Sequence, residues 1–157
     1  MKKLILTLLV FCLFAGGISA QTLVMPTAFK ISKIADNLSK KGYKILEQDE
    51  TYLKLSNDED ASLFIDVSED KKSLLLNINI MLKKDASKAS IDAMVEKINN
   101  LGMIKGTYNK EKDAIFFQYN FWTSHGFTYE SLQDAVAEFF LYQGDTFGMD
   151  EEKVFVY

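Results

Sequence analysis

The chain has 157 residues, with 22 acidic and 18 basic side chains, one His, one Pro and one Cys, and 48% of it is apolar. That is the composition of a single globular domain, and it excludes a disordered chain. Every base is a Lys, and a net-negative body without Arg or a basic stripe repels the phosphate backbone, which argues against nucleic acid as a partner.

Lys2 and Lys3 precede an uncharged run of 12 residues from Leu4 to Ala15, and Ser19-Ala20 supplies small residues before a cut. This pattern reads as a secretory signal peptide over residues 1–20, leaving one domain over 21–157. The apolar run falls short of the roughly 20 residues a spanning helix needs, and Gly16-Gly17 interrupts it, so no membrane span is expected after cleavage. Cys12 follows bulky Phe11 inside the run, which does not suit lipid attachment, and it leaves with the leader. The mature chain then carries 16 bases against 22 acids, a net charge of −6, and has no Cys. A periplasmic or secreted location would impose no disulfide on it, and packing alone must hold the fold.

In the mature chain, Ile31, Ile34, Ala35 and Leu38 recur at helical spacing. They predict a first helix over about 28–41, with Thr27 as N-cap and Gly42 beyond the last turn. From Tyr43 to Val67 the period shortens, as Leu53/Leu55 and Leu63/Ile65/Val67 alternate with Tyr52, Lys54, Phe64 and Asp66. These are strands, joined by polar turns at 57–60 and 69–72. Ser73–Leu82 is the longest strand, with Leu74, Leu76, Ile78, Ile80 and Leu82 on one face. Ile91, Met94, Val95, Ile98 and Leu101 predict a second helix over about 87–101, closed by Gly102. Met103–Tyr108 and Ala114–Trp122, separated by a polar segment of hairpin length, should pair antiparallel. Thr128 caps a third helix, with Phe127 and Leu132 as a hydrophobic staple, a stripe of Leu132, Ala135, Val136, Phe139 and Phe140, and an end at Gly144. The order is one helix, three or four strands, a helix, two strands and a helix. It specifies an α+β fold with an antiparallel sheet of five to six strands.

Gly42-Tyr43 after the first helix, Asn99-Asn100 ending the second, and the run from Asp113 through Ile115, Trp122 and His125 to Leu132 together resemble the YbjN family. That family is provisionally described as bacterial sensory transduction regulators and is similar in fold to type III secretion chaperones, small α+β proteins that dimerise and hold partner polypeptides. The resemblance spans roughly residues 29–148. It implies a type III secretion chaperone-like fold, a protein or peptide partner, and a homodimer as one form of that partnership. Its export leader sets this chain apart from family members linked to regulation, which are mostly cytosolic.

Residues that could carry chemistry are few. Ser124-His125 suggests a hydrolase pair, but neighbours in an extended segment point apart and no Gly-x-Ser-x-Gly elbow occurs, so no catalytic residue is assigned. One His and no mature Cys leave an ordinary zinc site without ligands, and the acidic clusters at 58–60 and at 145 with 150–152 lack the calcium-loop pattern. No cofactor or metal is implied, and these clusters read as solvated turn and tail charges. Glu130, Asp134 and Glu138 form an acidic ridge that reads as the solvent face of the third helix.

Alternation places Leu63/Ile65/Val67, Leu74/Leu76/Ile78/Ile80 and Ile115/Phe117/Tyr119/Phe121 under the helices. The opposite face then carries Tyr52, Phe64, Leu75, Met81, Phe116 and Trp122 beside Lys54, Asp66, Asn77, Asn79, Gln118 and Asn120. Aromatics broken by amides are the composition of an interaction surface, unless terminal segments cover them. Phe64, Leu75, Phe116 and Trp122 are therefore the candidate partner-binding residues. The expected function is that of an exported, non-enzymatic, chaperone-like binding or regulatory protein, and the alternative is a small-ligand carrier or an enzyme of unknown reaction. Mass spectrometry of the native protein is expected to find Gln21 at its N-terminus, whereas an intact Met1 on a soluble species would refute the leader.

Overall fold

The computed structural model describes residues 22–156, so the signal peptide expected over residues 1–20 lies outside the described residues. Chain order is α1 (Ile31–Ser39), β1 (Lys44–Gln48), β2 (Tyr52–Ser56), β3 (Ser62–Val67), β4 (Ser73–Met81), α2 (Lys88–Asn99), β5 (Lys105–Asn109), β6 (Ala114–Trp122) and α3 (Tyr129–Gly148). The six strands form one sheet in the order β1-β2-β3-β4-β6-β5. Every neighbouring pair is antiparallel. Among the described residues no helix is long and apolar enough to cross a membrane.

Side chains of the Asx type shape the hairpins, because a short carboxylate or amide accepts backbone N–H groups two or three residues on. Asp49 accepts from the Thr51 and Tyr52 amides at 2.6 and 2.9 Å, and these bonds hold its carboxyl below the ordinary carboxylate value. Asn57 does the same for Glu59 and Ala61, Asp70 for Lys72, and Asn109 for Glu111 and Lys112. β4 and β6 pair over nine residues, from Ser73↔Trp122 to Met81↔Ala114. This ladder sets Leu74 against Phe121, Leu76 against Tyr119, Ile78 against Phe117 and Ile80 against Ile115 on the face beneath the helices. Leu53, Leu55, Leu63 and Ile65 extend that face, all fully buried.

The predicted α1 starts too early. Lys30, without a side-chain cap, holds the N-cap position, while Pro26-Thr27-Ala28 is spent on a turn closed by the Met25 carbonyl. That turn delivers Phe29 into the core, edge-on to Phe127 at 5.7 Å. The other end is as predicted: Gly42 has φ +98°, its amide bonds to Ser39 O, and the Tyr43 amide reaches back to Leu38 O, which closes a Schellman turn. Ser87 caps α2 by accepting from the Ser90 amide. Thr128 and Ser131 form the capping box of α3.

Two expectations at the C-terminal end are corrected. α3 does not stop at Gly144 but runs to Gly148. A helical Gly costs up to about 1 kcal/mol, and tertiary contacts outweigh it: Gln143 and Thr146 are buried, and Phe147 meets Phe155 edge-on at 5.6 Å. Asp150, read as a solvated tail charge, is instead buried and accepts from the Val154 and Phe155 amides at 2.8 and 3.1 Å. It folds the tail back so that Phe155 bridges to Leu82 and fills the core.

Phe139 is buried on α3 and stands edge-on to Phe117 at 5.1 Å, and Phe117 is in turn paired with Ile78. Phe139→Ala is expected to cost about 3–5 kcal/mol through lost transfer energy and the residual cavity. A denaturation midpoint equal to that of the wild type would contradict this packing.

Candidate protein-binding face of the sheet

The three helices and both described terminal segments pack on the same side of the sheet, since Val24, Phe29, Val154 and Phe155 belong to the core with the buried stripes of α1, α2 and α3. The opposite strand positions therefore have no layer over them among the described residues. Register brings the four candidate residues to that face. Phe64 stands opposite Asn77, Leu75 opposite both Asp66 and Asn120, Phe116 opposite Asn79, and Trp122 opposite Ser73. Phe64, Leu75 and Phe116 are half-buried, and Trp122 is 71% exposed.

The four are not one contiguous cluster. Trp122, Leu75 and Phe64 descend diagonally, one strand across and two residues along at each step, as their pairing with Ser73, Asp66 and Asn77 requires. Phe116 lies on a separate, parallel diagonal with Met81, which is 49% exposed and whose carbonyl receives the Val156 amide. Between the diagonals stand Asn77, Asn79, Gln118 and Asn120. Asn77 donates to Asp66 at 2.6 Å and is itself buried, whereas the Asn79 Oδ1 is buried without a hydrogen-bond partner. An orphaned acceptor of that kind costs about 1–3 kcal/mol.

Sequence reasoning did not foresee how the charges are arranged at the Phe64 end. Lys54 Nζ sits 5.3 Å from the Phe64 ring centroid and 3.1 Å from Glu47, and Tyr52 packs against Phe64 with centroids 6.3 Å apart. Desolvation, followed by the Glu47 and Asp49 charges, raises the Tyr52 phenol above its ordinary value. Alternation put Lys54 on the right face, but its position over the ring depends on the bulge that aligns Glu47 with it.

The edges of the sheet are built differently. At the β5 edge the Asn99 carboxamide takes both backbone groups of Gly106, accepting from its N–H at 2.9 Å and donating to its carbonyl at 3.2 Å. Only Gly allows this approach, since a Cβ at position 106 would lie 2.8 Å from Ile98 Cγ2. β1, at the other edge, has five residues and a bulge between Ile45 and Glu47, the kind of short, kinked strand that discourages pairing.

The remaining sequence candidates do not converge. His125 lies exposed in the turn after β6, and Glu130, Asp134 and Glu138 lie on the exposed side of α3. Among the described residues no three His, Cys, Asp or Glu side chains group as metal ligands. A cleft of about 500 Å³ lies between the start of α1 and the β1–β2 turn, lined by Phe29, Lys30, Asp49, Thr51 and Lys71 among others. The Asp49 Oδ1 there is already engaged by three hydrogen bonds from Thr51 and Tyr52. Trp122 is the sole tryptophan, so its fluorescence reports on the face directly. Emission is expected to be water-like and readily quenched by acrylamide, and a blue-shifted, shielded emission would show that the face is covered.

No protein-family model and no curated protein matches the sequence. Among solved structures, the chain is similar to YbjN of E. coli, provisionally described as a transcription regulator, with a TM-score of 0.70, 16% identity, and coverage of 87% of this chain and 100% of that one. It is also similar to a chain of the HopA1-SchA chaperone-effector complex, with a TM-score of 0.54, 12% identity, and coverage of 73% and 91% respectively. At these identities the likeness is one of fold. Three helices on one side of a six-stranded antiparallel sheet therefore make this a YbjN-like, chaperone-like α+β fold.

Proposed function

We propose that this chain is an exported, non-enzymatic protein that holds a polypeptide partner, in the manner of a chaperone, through the uncovered face of its sheet. The observation that carries this reading is that apolar side chains stand on that face, Trp122 and Met81 exposed and Phe64, Leu75 and Phe116 half-buried, when the same sheet buries the leucines of its other face completely. A strand layer with one solvated face ordinarily turns polar residues outward. Here Phe64, Leu75, Met81, Phe116 and Trp122 occupy those positions. Large aromatics at such sites supply most of the energy of an interface, while the charges around them supply specificity. The likeness to a chaperone-effector complex supports a protein as the partner. Export rests on the Lys2-Lys3 region, the apolar run and the Ser19-Ala20 site, and it would place the partner in the periplasm or outside the cell. A second copy of the chain is one such partner.

Phe116→Asp and Trp122→Asp decide the matter. Each is expected to weaken association by roughly 30-fold or more, as loss of an interface anchor does, while leaving the thermal midpoint near that of the wild type. Light scattering reads self-association, and affinity recovery from envelope extract reads a different partner. Should both variants melt far below a wild type that is monomeric and recovers no partner, the face is core and the reading fails.

A further inference from the structure

We infer that the segment this face receives is an amphipathic helix with an acidic rim, laid along the Trp122–Leu75–Phe64 diagonal, and not an extended strand added at an edge of the sheet. The inference rests on the protein-binding reading above and specifies its partner.

Strand addition needs a row of unpaired backbone groups. At the β5 edge the Asn99 amide already stands where the next strand would lie, with both groups of Gly106 in its grip. At the β1 edge the bulge breaks the register within five residues and turns Leu46 outward, 49% exposed. What the sheet offers instead is side chains. Each step of the diagonal crosses one strand and two residues, so Trp122 to Phe64 spans about 17 Å. That length matches about three turns of helix, whose i, i+4, i+7 and i+11 residues form an apolar stripe.

The charges of the face select the rim of the helix. The strand positions of the face carry Lys44, Lys54 and Lys105 against Glu47 and Asp66, so it holds more bases than acids even though Glu47 is paired with Lys54 at 3.1 Å and Asp66 accepts from Asn77 at 2.6 Å. Lys54 stands over Phe64 at one end of the diagonal, and exposed Lys105 lies opposite Gln118 on the same face. The ridge of Glu130, Asp134 and Glu138 belongs to the outer side of α3, on the other side of the sheet. In an acidic chain this face is the less acidic one, so carboxylates flanking an apolar stripe meet lysines there.

The test uses three synthetic peptides of about 14 residues, roughly four helical turns, against the native protein. One has Leu at helical spacing with flanking Glu, the second has the same Leu with flanking Lys, and the third has the composition of the first arranged in strict alternation. The Glu-flanked helical peptide is expected to shift Trp122 emission to the blue and to gain helical circular dichroism on binding. The Lys-flanked peptide is expected to bind at least about tenfold more weakly, and the alternating peptide to leave Trp122 unmoved. Leu75→Asp, with its thermal midpoint checked, should abolish the shift. A shift produced by the alternating peptide and not by the helical one overturns the inference and leaves the protein-binding reading standing. Equal binding of the Glu- and Lys-flanked helices overturns the acidic rim. If no peptide moves Trp122, the inference falls, and recovery of a partner by wild type but not by Trp122→Asp separates that failure from failure of the function.

Discussion

The nine-residue pairing of β4 with β6 is the constraint on which the rest depends. It joins segments on either side of α2 and β5, so it cannot form until the chain between them has been looped out, and non-local ladders of this kind are slow to close. Once formed, it fixes both faces together. A slip of one residue would carry Leu74, Leu76 and Ile80 to the solvent side and bring Leu75, Asn77 and Asn79 beneath the helices. The two carboxamides would then need partners in an apolar core. That asymmetry between leucine and asparagine specifies the register.

The same constraint explains why the sheet has a face left uncovered among the described residues. Three helices suffice to cover one side of six strands, and they are drawn there by the fully buried residues of β2, β3, β4 and β6. The described terminal segments join the core layer instead, through Val24, Val154 and Phe155. Aromatics are left on the uncovered side with amides between them, and the amides keep the exposed area from becoming a single greasy patch. Asn77, tied to Asp66, is structural, while Asn79 leaves an acceptor unsatisfied.

The strands and the sidedness of the sheet were legible because period two is a strong signal over a strand as long as Ser73–Met81, and the helix caps at Thr128 and Gly42 because each has a local cause. What escaped the sequence was set by distant contacts. Reading a hydroxyl residue ahead of a helix as its cap fails at Thr27, since a Ser or Thr marks a cap only if the chain turns there, and Phe29 needed the extra turn to reach Phe127. Gly144 reads as a stop, yet Phe147 has a partner in Phe155, which lies beyond the helix and is invisible to local propensity. Asp150 looks like its exposed neighbours Glu151 and Glu152 until the tail is seen to fold over it. The candidate face was found as a set of alternating positions, but its division into two diagonals depends on the stagger between strands, which no single strand encodes.

Asp150 also changes what the segment 150–156 is. It is tied down: the carboxylate gathers the Val154 and Phe155 amides, the Lys83 amide bonds to Val154 O, and the Val156 amide to Met81 O. A chain cut after Met149 would lose the ring that Phe147 packs against and open a hole beneath α3. Handles or reporters inserted within this segment would pull against a clasp, so the choice of where to attach them becomes a question of stability and not of convenience.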